Sequence, residues 1–294
     1  MRGFPRPGQY ELSAQWTCVF AGDRALTSED PRGTVDRMEK PVGEGPLSRA
    51  VSVLRLLANA GPAGVALTEI TQQVGLPHAT VHRLLKQLVS LRLVRRTDSR
   101  RYALGVLTFE FGLAAAQSFD LRGICGPDLE QVAAESGHTA YLTVRSGNEA
   151  VCVDRRAGSF PIQVIALNIG SRRPLGIGGG GLAILASLED REREEVIDSV
   201  KQVLAEKWAM SEAEVHDLVR RTRRDGYALI HNTITVGVSA LGVPVRDSLN
   251  RVVAALSIGT VSSQLSAAKV RTLSSLLRTH ALAIEASMRS TGVP

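Results

Sequence analysis

Apolar positions first recur at helical spacing between Leu47 and Ala60, where Ala50, Val51, Leu54, Leu57 and Ala58 mark one face. Gly61-Pro62 and Gly64 end that helix. A second helix is expected from Thr68, read as its N-cap, with Glu69 in the first turn. Gly75 makes a turn, and Pro77 opens a third helix, where a fixed φ and a missing N–H do no harm. In that helix Val81, Leu84, Leu85 and Leu88 follow the i, i+3, i+4, i+7 rule and form the buried stripe. Two short strands, "RLVRR" and "RRYAL", then flank a "TDSR" turn. Residues 46–104 thus read as three helices and a hairpin. "GVLTFEFGLAAAQSF", residues 105–119, reads as a linking helix, with Leu107, Phe111 and Ala114 at helical spacing as a dimer seam or an intramolecular contact.

Beyond it, residues 120–292 change period. "RGICGPDLEQVAAESG" is helical, while "HTAYLTVRSGNEAVCVDRR" alternates around Ser146-Gly147-Asn148 as a hairpin. "FPIQVIAL" is read as a strand, and "GIGGGGLAILASL" as a Gly-rich loop running into a helix. Residues 190–225 are helical, "GYALIHN", "GVSALGVPV" and "RVVAALSIGT" are strands, and residues 263–289 form a final amphipathic helix. Hairpin strands with helices grouped between them argue for an α+β fold with an antiparallel sheet. Residues 1–45, with "AGDRALTSEDPRGTVDRMEKPVGEGP", hold no lasting apolar period and read as a disordered tail. Met38 lies just before the first periodic segment and is read as an alternative start, so removing residues 1–37 should spare folding and DNA binding.

Charge changes this picture. The chain carries a net +6, and its placement matters more than its size. Residues 47–101 hold nine Lys/Arg and two acids, a local +7, whereas residues 1–46 net −1 and residues 102–294 net zero. A basic block of domain size beside a neutral domain points to a nucleic-acid module joined to something else. No run approaches the roughly 18 apolar residues of a membrane helix, and no signal peptide opens the chain, so a cytoplasmic protein without a membrane partner is expected. Cys18, Cys125 and Cys152 are too few and too scattered for a disulfide framework or a zinc site.

The third helix carries its chemistry opposite its apolar stripe. Arg83 and Lys86 lie there with Ala79 between them, Thr80 and Gln87 flank one edge, and His82 the other. Such a helix fits a DNA major groove, where these groups read base edges. His78 at its start and Thr68 on the preceding helix complete the expected head contacts. Arg95, Arg96, Arg100 and Arg101 on the hairpin suit phosphates or the minor groove.

"LSRAVSVLRLLA", "LTEITQQVGLPHATVHRLLKQLVSLRLVRR", "RYALG" and "GVSALGVPVRD" resemble the isocitrate lyase regulator (IclR) family of bacterial transcription factors. The resemblance covers about residues 47–290. It implies an N-terminal winged helix-turn-helix, a linker helix and a C-terminal GAF-like effector domain. It also implies a homodimer or dimer of dimers (a homotetramer) on a palindromic double-stranded DNA operator. Such proteins repress or activate genes, often for catabolism of small organic or aromatic acids, and none of this calls for a cofactor.

In the family the segment after "RPL" borders the effector pocket, which places Leu175, Gly178, Gly179 and Gly180 there. Ser257 matches a ligand-facing serine. Ala240 stands where some members carry a cysteine and Ile230 where some carry an acid, which points away from a glyoxylate- or pyruvate-like effector. His231, Asn232 and Ser239 are the polar groups available to compensate. Arg172 and Arg173 are near enough to attract an acid, although a solvated turn accounts for at least one of them. The glycines have a second reading, close packing of a helix on a strand. They match neither a phosphate loop, since no G-K-[ST] follows, nor a dinucleotide fingerprint. Six histidines without metal-ligand spacing and serines without a G-x-S-x-G elbow leave no catalytic constellation. The competing expectation is a small-molecule enzyme or sensor whose basic module binds a protein partner.

Overall fold

The computed structural model describes residues 45–116, 121–232 and 236–291, together with the backbone of a short strand β1 (Thr17–Cys18). The expected tail otherwise lies outside the described residues, as do residues 117–120 at the end of the expected linker.

The first domain is built from α1 (Pro46–Ala60), α2 (Leu67–Val74), α3 (His78–Ser90), and the hairpin β2 (Val94–Arg96) and β3 (Tyr102–Leu104). Val53, Leu57, Ile70, Val81, Leu85 and Leu88 close its core. The α1 stripe therefore runs through Val53 rather than Val51, which is 39% exposed. Thr68 is not the N-cap of α2. Ala66 holds that position, and the Glu69 carboxylate accepts its N–H at 3.2 Å, so the acid rather than a hydroxyl caps the turn. Gly75 ends α2 in the left-handed region at φ 64°, the sharp corner that sets α3 against it. Val65 exchanges backbone hydrogen bonds with Tyr102 at 2.8 Å each way, which ties the hairpin to the helices.

α4 (Val106–Ala116) follows, with Phe109, Phe111 and Leu113 all more than half exposed. No helix among the described residues is long and apolar enough to cross a membrane.

The second domain begins with α5 (Leu121–Ser136), the hairpin β4 (Thr139–Ser146) and β5 (Glu149–Arg156), and β6 (Gln163–Val164), which pairs with β1. β7 (Arg172–Pro174) leads to α6 (Gly178–Ser187), α7 (Asp190–Trp208) and α8 (Glu212–Asp225). β8 (Ala228–His231), β9 (Val238–Arg246), β10 (Val252–Val261) and α9 (Ala267–Thr291) complete it. Six strands form one antiparallel sheet in the order β7-β5-β4-β10-β9-β8.

Two sequence expectations change here. "FPIQVIAL" pairs only at Gln163–Val164, and the short strand β7 was not foreseen. Gly178, Gly179, Gly180 and Gly181 form the first turn of α6, and only Gly176 stays in the loop before it.

Period-two alternation gives the sheet two different faces. Leu142, Leu241, Val243, Leu256 and Ile258 pack with α5 and α9. The opposite face carries small residues, including Gly242, Ala255 and Ser257, and α6 lies against it. A Cβ built on Gly242 would stand 2.3 Å from the Gly179 carbonyl oxygen, so the two backbones touch.

Candidate functional site

On α3 the buried stripe is Val81, Leu85 and Leu88, and His78, Ala79, His82, Arg83, Lys86 and Gln87 are all exposed. Thr80 is half-buried, and Thr68 lies exposed on α2. Core packing thus fixes which side of α3 faces solvent, and that side is cationic. On the hairpin Arg95, Arg96 and Arg100 are exposed, and Arg100 takes φ 58° at the tip. Arg101 is engaged inside the domain. Its Nε donates to the Gly64 carbonyl at 3.0 Å, and its Nη2 meets Glu69 at 2.8 Å. This arginine fastens the hairpin to α2, whereas among the described residues Arg95, Arg96 and Arg100 make no ion pair.

The second domain contains a pocket of about 530 Å³, its open mouth included, between the small-residue face of the sheet and the start of α6. Gly178, Gly179, Gly180, Ser239, Ala240 and Ser257 line it. Leu175 and Ile230 do not, because both are buried in the core beneath α6. His231 and Asn232 sit outside the lining, at the end of β8. They reach it through a relay: the Ser239 hydroxyl lies 2.8 Å from both His231 Nδ1 and Ser262 Oγ, and Ser262 donates to Asn232 at 2.6 Å.

Cross-strand register assembles the floor. Ser257 pairs with Tyr141 on one side and Gly242 on the other, so the three share one row across the sheet. A Cβ on Gly180 would come within 2.8 Å of Thr143 Oγ1 and 3.4 Å of Ser257 Oγ. The bare first turn of α6 therefore rests directly on two hydroxyl-bearing positions. N–H groups of that turn have no intrahelical partner and carry the positive end of the helix dipole.

Arg172 and Arg173 separate by strand alternation. Arg172 turns to Glu149 at 2.8 Å and to the Ser146 hydroxyl. Arg173 turns into the pocket, half-buried, with its guanidinium 4.7 Å from the Trp208 ring centroid and donating to the Ala166 carbonyl at 2.7 Å. Among the described residues no carboxylate pairs with it, and burial pulls it below its ordinary pKa. Tyr141 stands at the same wall. Burial pushes its phenol up to about 12, which keeps it a neutral donor. Sequence reasoning missed Tyr141 and Thr143 as lining, although their place on the small-residue face follows from alternation along β4.

Burial pushes the thiols of Cys125 and Cys152 to about 12, far from a reactive thiolate, and no metal-binding cluster occurs among the described residues.

A winged helix-turn-helix joined to a pocketed sensor domain defines a ligand-responsive transcriptional regulator. Residues 46–98 match the IclR helix-turn-helix domain, and residues 113–286 match the bacterial transcriptional regulator IclR C-terminal domain. The chain belongs to the IclR family of bacterial transcriptional regulators, which are not enzymes. Transcriptional repressor IclR of Escherichia coli is 30% identical over 74% of this chain and 81% of its own length. The regulator KipR of Bacillus subtilis is 26% identical over 75% and 88%. An IclR-type regulator from Alicyclobacillus acidocaldarius superposes with a TM-score of 0.69 at 27% identity, covering 82% of this chain and 98% of that one. A fold relative from Microbacterium hydrocarbonoxydans, 24% identical with a TM-score of 0.65, was solved as a complex with 4-hydroxybenzoate and covers 84% and 100%.

Proposed function

We propose that this regulator controls a catabolic operon in response to a small organic acid with an apolar, aromatic-sized body. The observation that carries the reading is Arg173, a half-buried guanidinium that enters the pocket without a carboxylate partner. A carboxylate there would receive charge-assisted hydrogen bonds in a weakly solvated setting. The α6 first turn adds positive potential, and the mostly aliphatic wall would take the body of the ligand. 4-Hydroxybenzoate fits this chemistry and is the first probe. The head would act on a palindromic operator as a dimer or dimer of dimers, with Arg83, Lys86, Thr80, Gln87 and His82 in the major groove.

The test is fluorescence anisotropy on the upstream intergenic DNA and on a scrambled duplex, across a salt series, with and without the acid. Preference for the upstream DNA, a steep log–log salt slope and a shift on adding acid support the reading. Equal, weak binding to both duplexes at about 0.15 M salt would refute it.

Two substitutions divide the head's work. Arg83→Ala should cost about 1–3 kcal/mol on the upstream DNA and far less on scrambled DNA, since a base-reading group is lost. Arg100→Ala should weaken both duplexes alike and reduce the salt slope by about 1. Competition titrations on the two duplexes measure each effect.

A further inference from the structure

The backbone between β6 and β7 is fastened by side chains where a strand would be fastened by a neighbouring strand. The Val164 carbonyl accepts from the Tyr141 hydroxyl at 2.6 Å, and that hydroxyl oxygen accepts in turn from the Ala166 N–H at 3.0 Å. The Ala166 carbonyl accepts from Arg173 at 2.7 Å. The Leu167 carbonyl accepts from Arg155 Nη1 at 3.1 Å, and that nitrogen also reaches Asn168 Oδ1 at 3.2 Å. Val164, Ala166 and Leu167 are also pocket wall. One segment is therefore both a wall of the cavity and a load on the cavity's cation.

Its far end comes close to the other domain. Gly170 donates to the Cys152 carbonyl at 2.7 Å and takes φ 87°. A Cβ built on Gly170 would stand 3.8 Å from the carbonyl oxygen of Ala58, in α1 of the DNA-binding domain.

We propose that residues 164–170 form a strap that carries pocket occupancy to the DNA-binding domain, with Arg173 as the residue that changes partner. The proposal rests on the acid reading of the pocket. Arg173 has two claimants, the Ala166 carbonyl and an incoming carboxylate, and the charged oxygen is the stronger acceptor. Ligand binding draws the guanidinium toward the cavity and releases the Ala166 carbonyl. With one of its three side-chain fastenings lost, the strap pivots on the Gly170 hydrogen bond to Cys152 and shifts beside α1. The strap is a physical element with two arrangements, held and released, which is what coupling between distant sites requires.

The test uses the full chain without ligand. Tyr141→Phe removes the phenol that holds Val164 and Ala166, and Arg155→Ala removes the outer fastening at Leu167. Hydrogen exchange reports the strap, and anisotropy on upstream DNA reports the head. Both variants should exchange faster across residues 165–169 and shift the DNA Kd by about fivefold or more in one shared direction. Faster exchange with an unmoved Kd would overturn the proposal, and so would unchanged exchange in both variants. Arg155 lies toward the outer surface, so its variant decides the matter if Tyr141→Phe fails to fold. A third arm adds 4-hydroxybenzoate to the wild type. Binding that alters DNA affinity but leaves strap exchange untouched also overturns the strap. Failure of this acid and of benzoate to bind counts against the acid reading instead, and the ligand-free variants still decide the strap.

Discussion

Arg173→Ala yields a folded regulator whose DNA affinity no longer moves when acid is added. Among the described residues the side chain pairs with no carboxylate, so its removal strands no buried anion there. The fold loses one hydrogen bond to Ala166 and a stack on Trp208, together about 1–3 kcal/mol. Ligand binding loses far more. Truncating one partner of a buried hydrogen-bonded charge pair costs about 2–5 kcal/mol, so the Kd for 4-hydroxybenzoate rises about a hundredfold or more. Arg173→Lys recovers part of this at most, because an ammonium neither forks onto two oxygens nor stacks flat on an indole. Isothermal titration of wild type and both variants measures the difference. An unchanged Kd in Arg173→Ala would remove the basis for an acidic effector.

Gly242→Ala unfolds or badly loosens the second domain. The new methyl would lie 2.3 Å from the Gly179 carbonyl oxygen, and a Cβ on Gly179 would lie 2.6 Å from the Leu241 carbonyl carbon. Both obstacles are backbone, so no rotamer change relieves them and α6 must lift off β9. Overpacking usually costs about 1–3 kcal/mol, and a backbone obstacle places this case at or above the upper end. Tm falls by about 6–12 °C on the scale for domains of this size. Gly180→Ala is milder in fold but narrows the pocket, since its methyl points at the Thr143 and Ser257 hydroxyls. Thermal unfolding followed by circular dichroism ranks the two, and equal Tm values would contradict the packing argument.

The elements of the first domain were legible because each has a local cause. The Val81, Leu85 and Leu88 stripe fixes α3, and Gly75 fixes the corner before it. The exceptions there are the cap, which falls on Ala66 rather than Thr68, the α1 stripe, which takes in Val53 rather than Val51, and contacts made at long range. Arg101 looks like any wing arginine until Glu69 and the Gly64 carbonyl are brought beside it. The second domain's strands were legible from alternation, but the pocket was not, since its row of Tyr141, Ser257 and Gly242 exists only through register. Leu175 and Ile230 entered the expected site by position relative to the family pattern, yet each is a large apolar side chain beneath α6, where burial outweighs ligand contact. The strand expected at residues 160–167 stops at Val164 for a related reason. Its apolar residues resemble a strand, but its carbonyls find side chains.

The central pairing of the sheet joins β4 to β10 through positions such as Val144 and Ala254, 110 residues apart along the chain. Contacts this distant slow folding, while the first domain is assembled from neighbours in sequence. On the ribosome, at about 5–20 residues per second, β4 must wait roughly 5–20 seconds for its partner to be made. During that interval the hairpin of β4 and β5 exposes Leu142 and one unpaired edge. The nascent chain can thus hold a finished DNA-binding head while its sensor is half made, and chaperone supply would limit the yield of sensor-competent protein before it limits the yield of head.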